Sequence, residues 1–221
     1  EAALAAFALT AMGSLGSTPV VVWVHNSEVP AITLHTRGFI ARKDFRWYAV
    51  SRFSADLARD AGFSDQVEVI PNPIGENVVA PARTPGGERV RVGFLGSEQP
   101  IKGFDYLAAV MDRTRHLPIA WRLYLRHREH PGWAWVNPLL GDPGLDIRVE
   151  GRVFPVSQAY GALDAVFVPS RMESFCRVVA EAMANELPVV ASDLAAAQQV
   201  ADRRQVARDD GQLGRHGLGD H

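Results

Sequence analysis

The stretch Pro169–Ala184, PSRMESFCRVVAEAMA, places a strand end, a polar turn, a helix start and two carboxylates in immediate succession, and few folds accommodate that order. Before it, Ala165-Val-Phe-Val168 is a short apolar run of the kind a buried parallel strand needs, and Pro169-Ser170 closes it. Ligands of open α/β sheets bind at such strand ends. Ser174 is the expected N-cap. Val178, Val179, Met183 and Leu187 then recur at helical spacing, so a helix is predicted over about residues 175–187. Its first turn offers free N–H groups and the positive end of the helix dipole, which favour an anion such as a phosphate. Glu173 and Glu181 bracket that position as acceptors for sugar hydroxyls. The plainer reading of the two is a pair of solvated glutamates beside a core helix.

The same strand, turn and helix succession recurs along the chain. Residues 1–12 read as a helix, Pro19–Val24 as a strand buried on both faces with His25 at its tip, and Phe45–Ser51 as a further strand. Arg52–Gly62 reads as an amphipathic helix closed by its glycine, and Val67–Ile70 as another strand. The Pro- and Gly-rich segment ending at Gly87 is the expected linker. It gives a first α/β domain over 1–81, a linker over 82–87 and a second domain over 88–201. In the second domain strands are expected at Arg89–Leu95, Trp121–Leu125, Ile147–Val153 and Leu187–Ser192, with a helix from Phe104 to Arg115. Residues 202–221 are polar and lack apolar periodicity, so a disordered tail is expected. Trp133 and Trp135 either stack on a base or sugar or fill core.

Composition excludes several function classes. A net charge of −2 carries no electrostatic footprint for nucleic acid, and no apolar run approaches a membrane span, although peripheral membrane association stays open. A single cysteine excludes an internal disulfide framework and fits a cytoplasmic location. His127 and His130 lack partners at compact spacing, so no metal is expected. The start of the chain lacks the basic region of a signal peptide.

The segment from Pro169 to Ala191 resembles the retaining GT-B glycosyltransferases that use nucleotide sugars, whose pattern P-S-x-x-E-[SG]-F-G-x-x-x-x-E-A-M-A-x-G-x-P-V-V-A it follows with few departures. The stretch Gly96-Ser-Glu-Gln-Pro-Ile-Lys-Gly-Phe-Asp105 resembles that family's G-R-x-x-x-x-K-G-x-D, and Gly151-Arg-Val153 its G-[RY]-V turn. The resemblance implies two Rossmann-like domains with parallel sheets, the N-terminal one incomplete. The implied activity is of hexosyltransferase type: a sugar moves from a nucleotide-diphosphate donor, UDP or GDP, to an acceptor hydroxyl on a glycan, lipid or small molecule, with retention and without metal or cofactor. It further implies that Glu173 touches the donor sugar and Glu181 the ribose. Gly96, Lys102, Ser174, Phe175 and Cys176 would surround the diphosphate, with Gly151, Arg152 and Val153 at the base. His25 would face the reacting sugar; read alone, it is a polar cap on a strand end. Lys102 read alone is an exposed helix-start lysine.

Four positions depart from the pattern. Pro73, Cys176 and Glu186 stand where the family has glycine, and Ser97 replaces an arginine that would hold a phosphate. A side chain at position 176 is expected to crowd the phosphate. Ser97, Cys176 and the incomplete first domain favour one rival reading, a truncated or vestigial module that binds a nucleotide sugar without turnover. A dehydrogenase is the weaker rival, because no G-x-G-x-x-G follows a strand.

Overall fold

A computed structural model describes residues 20–25, 45–82, 86–125 and 129–202. The expected opening helix, residues 26–44, His127 and the tail beyond 202 lie outside the described residues. The chain divides into two compact units after Asn72.

In the first unit, β1 (Val20–Val24), β2 (Phe45–Ala49) and β3 (Val67–Val69) form a parallel sheet in sequence order. Helix α1 (Arg52–Asp60) starts where the Ser51 hydroxyl accepts a hydrogen bond from the Ser54 N–H at 3.1 Å. Its Ala55 and Ala58 pack with Trp47, Phe63 and Val67. β1 departs from expectation. Val21 and Trp23 are 60% and 44% exposed while Val22 and Val24 are half-buried, so this marginal strand is buried on one face among the described residues, not on both.

The second unit begins at Pro73, upstream of the predicted linker. Residues 73–82 are tied into it, because Val78 is buried in its core and the Ala80 N–H donates to Asn185 Oδ1 at 2.8 Å. Five parallel strands form its sheet: β4 (Val90–Leu95), β5 (Ile119–Tyr124), β6 (Asp146–Val149), β7 (Ala165–Val168) and β8 (Val189–Ala191). They lie in the order β6-β5-β4-β7-β8. The chain therefore builds outward from β4 on one side, then crosses back to lay β7 against the other. That reversal is the topological switch point.

Side chains alternate between the two faces of this sheet. Phe94 and Phe167 join a cluster with Phe104, Leu107, Met111 and Trp121, in which α2 (Phe104–Arg113) buries one stripe at helical spacing. Val166 and Val168 face the other cluster, with Tyr160 of α4 (Ser157–Gly161), Leu163 and Val179 of α5 (Arg177–Ala184). Trp133, in α3 (Trp133–Val136), is 4% exposed and meets Phe104 edge to face at 5.6 Å; Trp135 is 57% exposed. The first tryptophan thus fills core. No helix among the described residues is long and apolar enough to cross a membrane.

Candidate functional site

Two loops meet at the switch point. The chain leaves β4 through Gly96 and Ser97, makes a short 3-10 turn at Pro100–Lys102, and enters α2 through Gly103 at φ +68°. A Cβ on Gly103 would lie 1.9 Å from the Pro169 carbonyl oxygen, so only glycine permits this approach of the two backbones. The loop leaving β7 is pinned to the first. The Arg171 N–H donates to the Ile101 carbonyl at 2.8 Å, and the Arg171 guanidinium pairs with Asp105 and covers the Tyr106 ring at 4.1 Å. That hydrogen-bonded ion pair holds the Asp105 carboxyl below its ordinary range.

With the loops so fixed, Lys102 Nζ donates to Glu173 Oε1 at 2.7 Å, and the Ser170 hydroxyl donates to the same oxygen at 2.7 Å. The lysine side chain is 32% exposed and the glutamate 14%, so a ligand can reach the cation. Glu181 is more enclosed, at 7% exposure. The Tyr160 hydroxyl donates to its Oε2 at 2.7 Å, and Arg177 Nε donates to its Oε1. Burial first, and the neighbouring carboxylate second, push the Tyr160 phenol far above its ordinary pKa, so it stays a donor.

Lys102, Ser170, Glu173, Arg177 and Glu181 border one cleft of about 620 Å³. Gly96, Ser97 and Lys102 line it from the β4 exit, Gly151, Arg152 and Val153 from the β6 exit, and Glu173 and Glu181 from the β7 side. Segments widely separated in sequence thus converge on this cleft. The neighbouring residues do not. Ser174, Phe175 and Cys176 are not among the lining side chains; Phe175 and Cys176 are 8% and 2% exposed, and Cys176 belongs to the core. The Cys176 side chain therefore does not crowd the cleft.

Helix α5 also starts later than predicted, at Arg177, and the residue at its cap is Cys176 rather than Ser174. Cys176 sits at φ +57°, the left-handed region that favours glycine. Glu186 does the same at φ +58°, where the chain leaves α5. There the Leu187 N–H reaches the Ala182 carbonyl and the Glu186 N–H reaches the Met183 carbonyl, the paired bonds of a Schellman motif. Both non-glycine residues thus occupy positions whose backbone suits glycine. His25 lies at the end of β1 in the first unit, exposed, with its ring 5.2 Å from that of Trp23.

Several lining residues escaped the sequence reading. Phe154 is 82% exposed on the cleft, and Ser170 and Arg177 line it and support the two carboxylates, while Tyr160 supports Glu181 from the core behind it. Arg177 was findable, since it precedes Glu181 by one helical turn. The Tyr160 contact spans distant sequence and carries no local signal.

Residues 89–213 match the profile of the family Glycosyl transferases group 1, over half of the 221-residue chain, and the chain belongs to that family. Its succession of parallel α/β sheets is of the GT-B class, as solved structures corroborate. WaaG, a glycosyltransferase involved in lipopolysaccharide biosynthesis, aligns with TM-score 0.65 and 15% identity over 90% of this chain and 66% of its own. Anabaena HepE in complex with UDP-glucose aligns with TM-score 0.65 and 21% identity over 89% and 57%. A glycosyltransferase from Rickettsia africae aligns with TM-score 0.64 and 15% identity over 86% and 61%. The chain thus spans about three-fifths of the Rickettsia africae relative, and 36% of TarM. Among curated proteins, no sequence matches it.

Proposed function

We propose that the chain takes part in transferring a hexose from a nucleotide-diphosphate sugar to an acceptor hydroxyl, with retention at the anomeric carbon. The observation that carries this reading is the Lys102–Glu173 pair at the switch point, one cation and one sugar-hydroxyl acceptor on a cleft large enough for a nucleotide. The UDP and UDP-glucose held by HepE support a nucleotide sugar as donor.

In the proposed reaction the bond between the anomeric carbon and the diphosphate oxygen breaks, and the leaving diphosphate keeps the electron pair. Lys102 stabilises the charge that develops there, and the backbone N–H groups around Cys176 add dipoles of the same sense. Glu173 accepts from sugar hydroxyls, Glu181 from the ribose, and Gly151–Val153 meet the base. The acceptor oxygen bonds to the anomeric carbon on the face the diphosphate leaves, and its proton passes to the departing diphosphate oxygen. Lys102 supplies positive charge directly, so we propose metal-independent transfer, in the cytoplasm.

A panel of UDP- and GDP-sugars, incubated with glycan, lipid and small hydroxyl acceptors, tests this by release of nucleoside diphosphate. Release that requires both acceptor and Glu173 supports transfer. Tight donor binding without release in any combination leaves the binding-only reading, which Ser97 favours because it brings no charge to the phosphates.

A further inference from the structure

Arg177 opens α5 and lines the same cleft as Lys102, with its side chain 61% exposed. Helix electrostatics do not account for it. A cation in the first turn opposes the helix dipole, and an arginine placed one turn before a glutamate is the less favourable order for an ion pair. Its exposure leaves little packing to gain. Meanwhile Ser97, at the β4 exit, contributes only a hydroxyl on the opposite side of the switch point. Arg152 also lines the cleft, but from the exit of β6, two strands away from β4. Arg177 follows β7, the direct neighbour of β4, and so shares the switch point with Lys102.

We infer that Arg177 is a second phosphate-binding cation of this cleft, working with Lys102 in place of the charge that Ser97 lacks. The inference rests on the nucleoside diphosphate reading above. The geometry allows both tasks at once, because the pair with Glu181 uses Nε and leaves the two terminal nitrogens of the guanidinium for a phosphate. One side chain then joins the ribose acceptor to the diphosphate. Binding at either subsite orders the other.

The test titrates inorganic pyrophosphate, UDP and uridine into the full chain, its Arg177→Gln, Arg177→Lys and Lys102→Ala variants, and the double variant carrying Arg177→Gln with Ser97→Arg. Arg177→Gln should weaken pyrophosphate and UDP about tenfold, the scale of a lost charge-assisted hydrogen bond, and leave uridine unchanged. Lysine should recover part of the loss. Ser97→Arg should recover most of it from across the cleft. If Arg177→Gln leaves pyrophosphate and UDP unchanged while Lys102→Ala weakens both, the phosphate site stands and the role of Arg177 falls. Equal loss for uridine shows that Arg177 acts only through Glu181, and also overturns the inference. A parent chain that binds neither pyrophosphate nor UDP overturns the site and the inference together.

Discussion

Lys102 Nζ lies 2.7 Å from Glu173 Oε1, joining the exit of β4 to the exit of β7 across the point where strand order reverses. A diphosphate entering the cleft competes with Glu173 for the same ammonium. Glu173→Gln should therefore tighten a nucleoside diphosphate several-fold, because the lysine no longer faces a charged partner, while sugar transfer falls. Calorimetry and a product-release assay on the same preparation check it. Weaker nucleotide binding in this variant would show that Glu173 holds Lys102 in place instead of competing for it.

Tyr160 is 1% exposed and its hydroxyl has Glu181 as acceptor. Removing the donor strands a nearly buried carboxylate oxygen. Tyr160→Phe should lower unfolding stability by about 1–3 kcal/mol and weaken a ribonucleotide more than its 2′,3′-dideoxy analogue. Denaturant unfolding and paired titrations read the two effects. A stability loss with no discrimination between the analogues would confine Tyr160 to the core.

Cys176 and Glu186 hold backbone conformations that glycine adopts without strain. At Glu186 the Schellman geometry is otherwise complete, so Glu186→Gly should stabilise the protein by about 0.5–1 kcal/mol. Gly103→Ala should have the opposite sign and cost more than about 2 kcal/mol, since its Cβ would meet the Pro169 carbonyl oxygen. Thermal melts of both variants check the pair of signs.

Burial, and next the charge of Glu173, push the Cys176 thiol up to about 12 from an ordinary value of 9.0. Its folded pKa is raised, so the associated stability is fully present below the unfolded value and is lost as pH rises from about 9 towards 12. The protein's single cysteine should resist iodoacetamide at about pH 9 while folded and react once unfolded. Rapid alkylation of the native chain would contradict the buried placement.

The parallel strand at Ala165–Val168 was legible because an uninterrupted apolar run closed by Pro169 is what a sheet covered on both faces requires, and the one at Val90–Leu95 because its residues are apolar except Arg91 and Gly96 closes it. Lys102, Glu173 and Glu181 were legible as a constellation, and the fold brings them to one cleft. The start of α5 was not. Ser174 has the side chain of an N-cap, but the left-handed turn at Cys176 delays the helix, and no propensity favours cysteine there. Composition assigns residues 73–81 to the first domain, ahead of the Pro- and Gly-rich linker, yet Val78 and the hydrogen bonds to Asn185 bind them to the second unit. Such long-range contacts leave no local trace.

In the proposed function the cleft holds a nucleoside diphosphate with its phosphates on Lys102. A crystal structure of the chain with UDP or GDP tests it most directly. A phosphate oxygen is expected in place of Glu173 as the partner of Lys102 Nζ, with the ribose hydroxyls on Glu181. A nucleotide bound elsewhere, or an empty cleft with Lys102 still on Glu173 at saturating nucleotide, would contradict it.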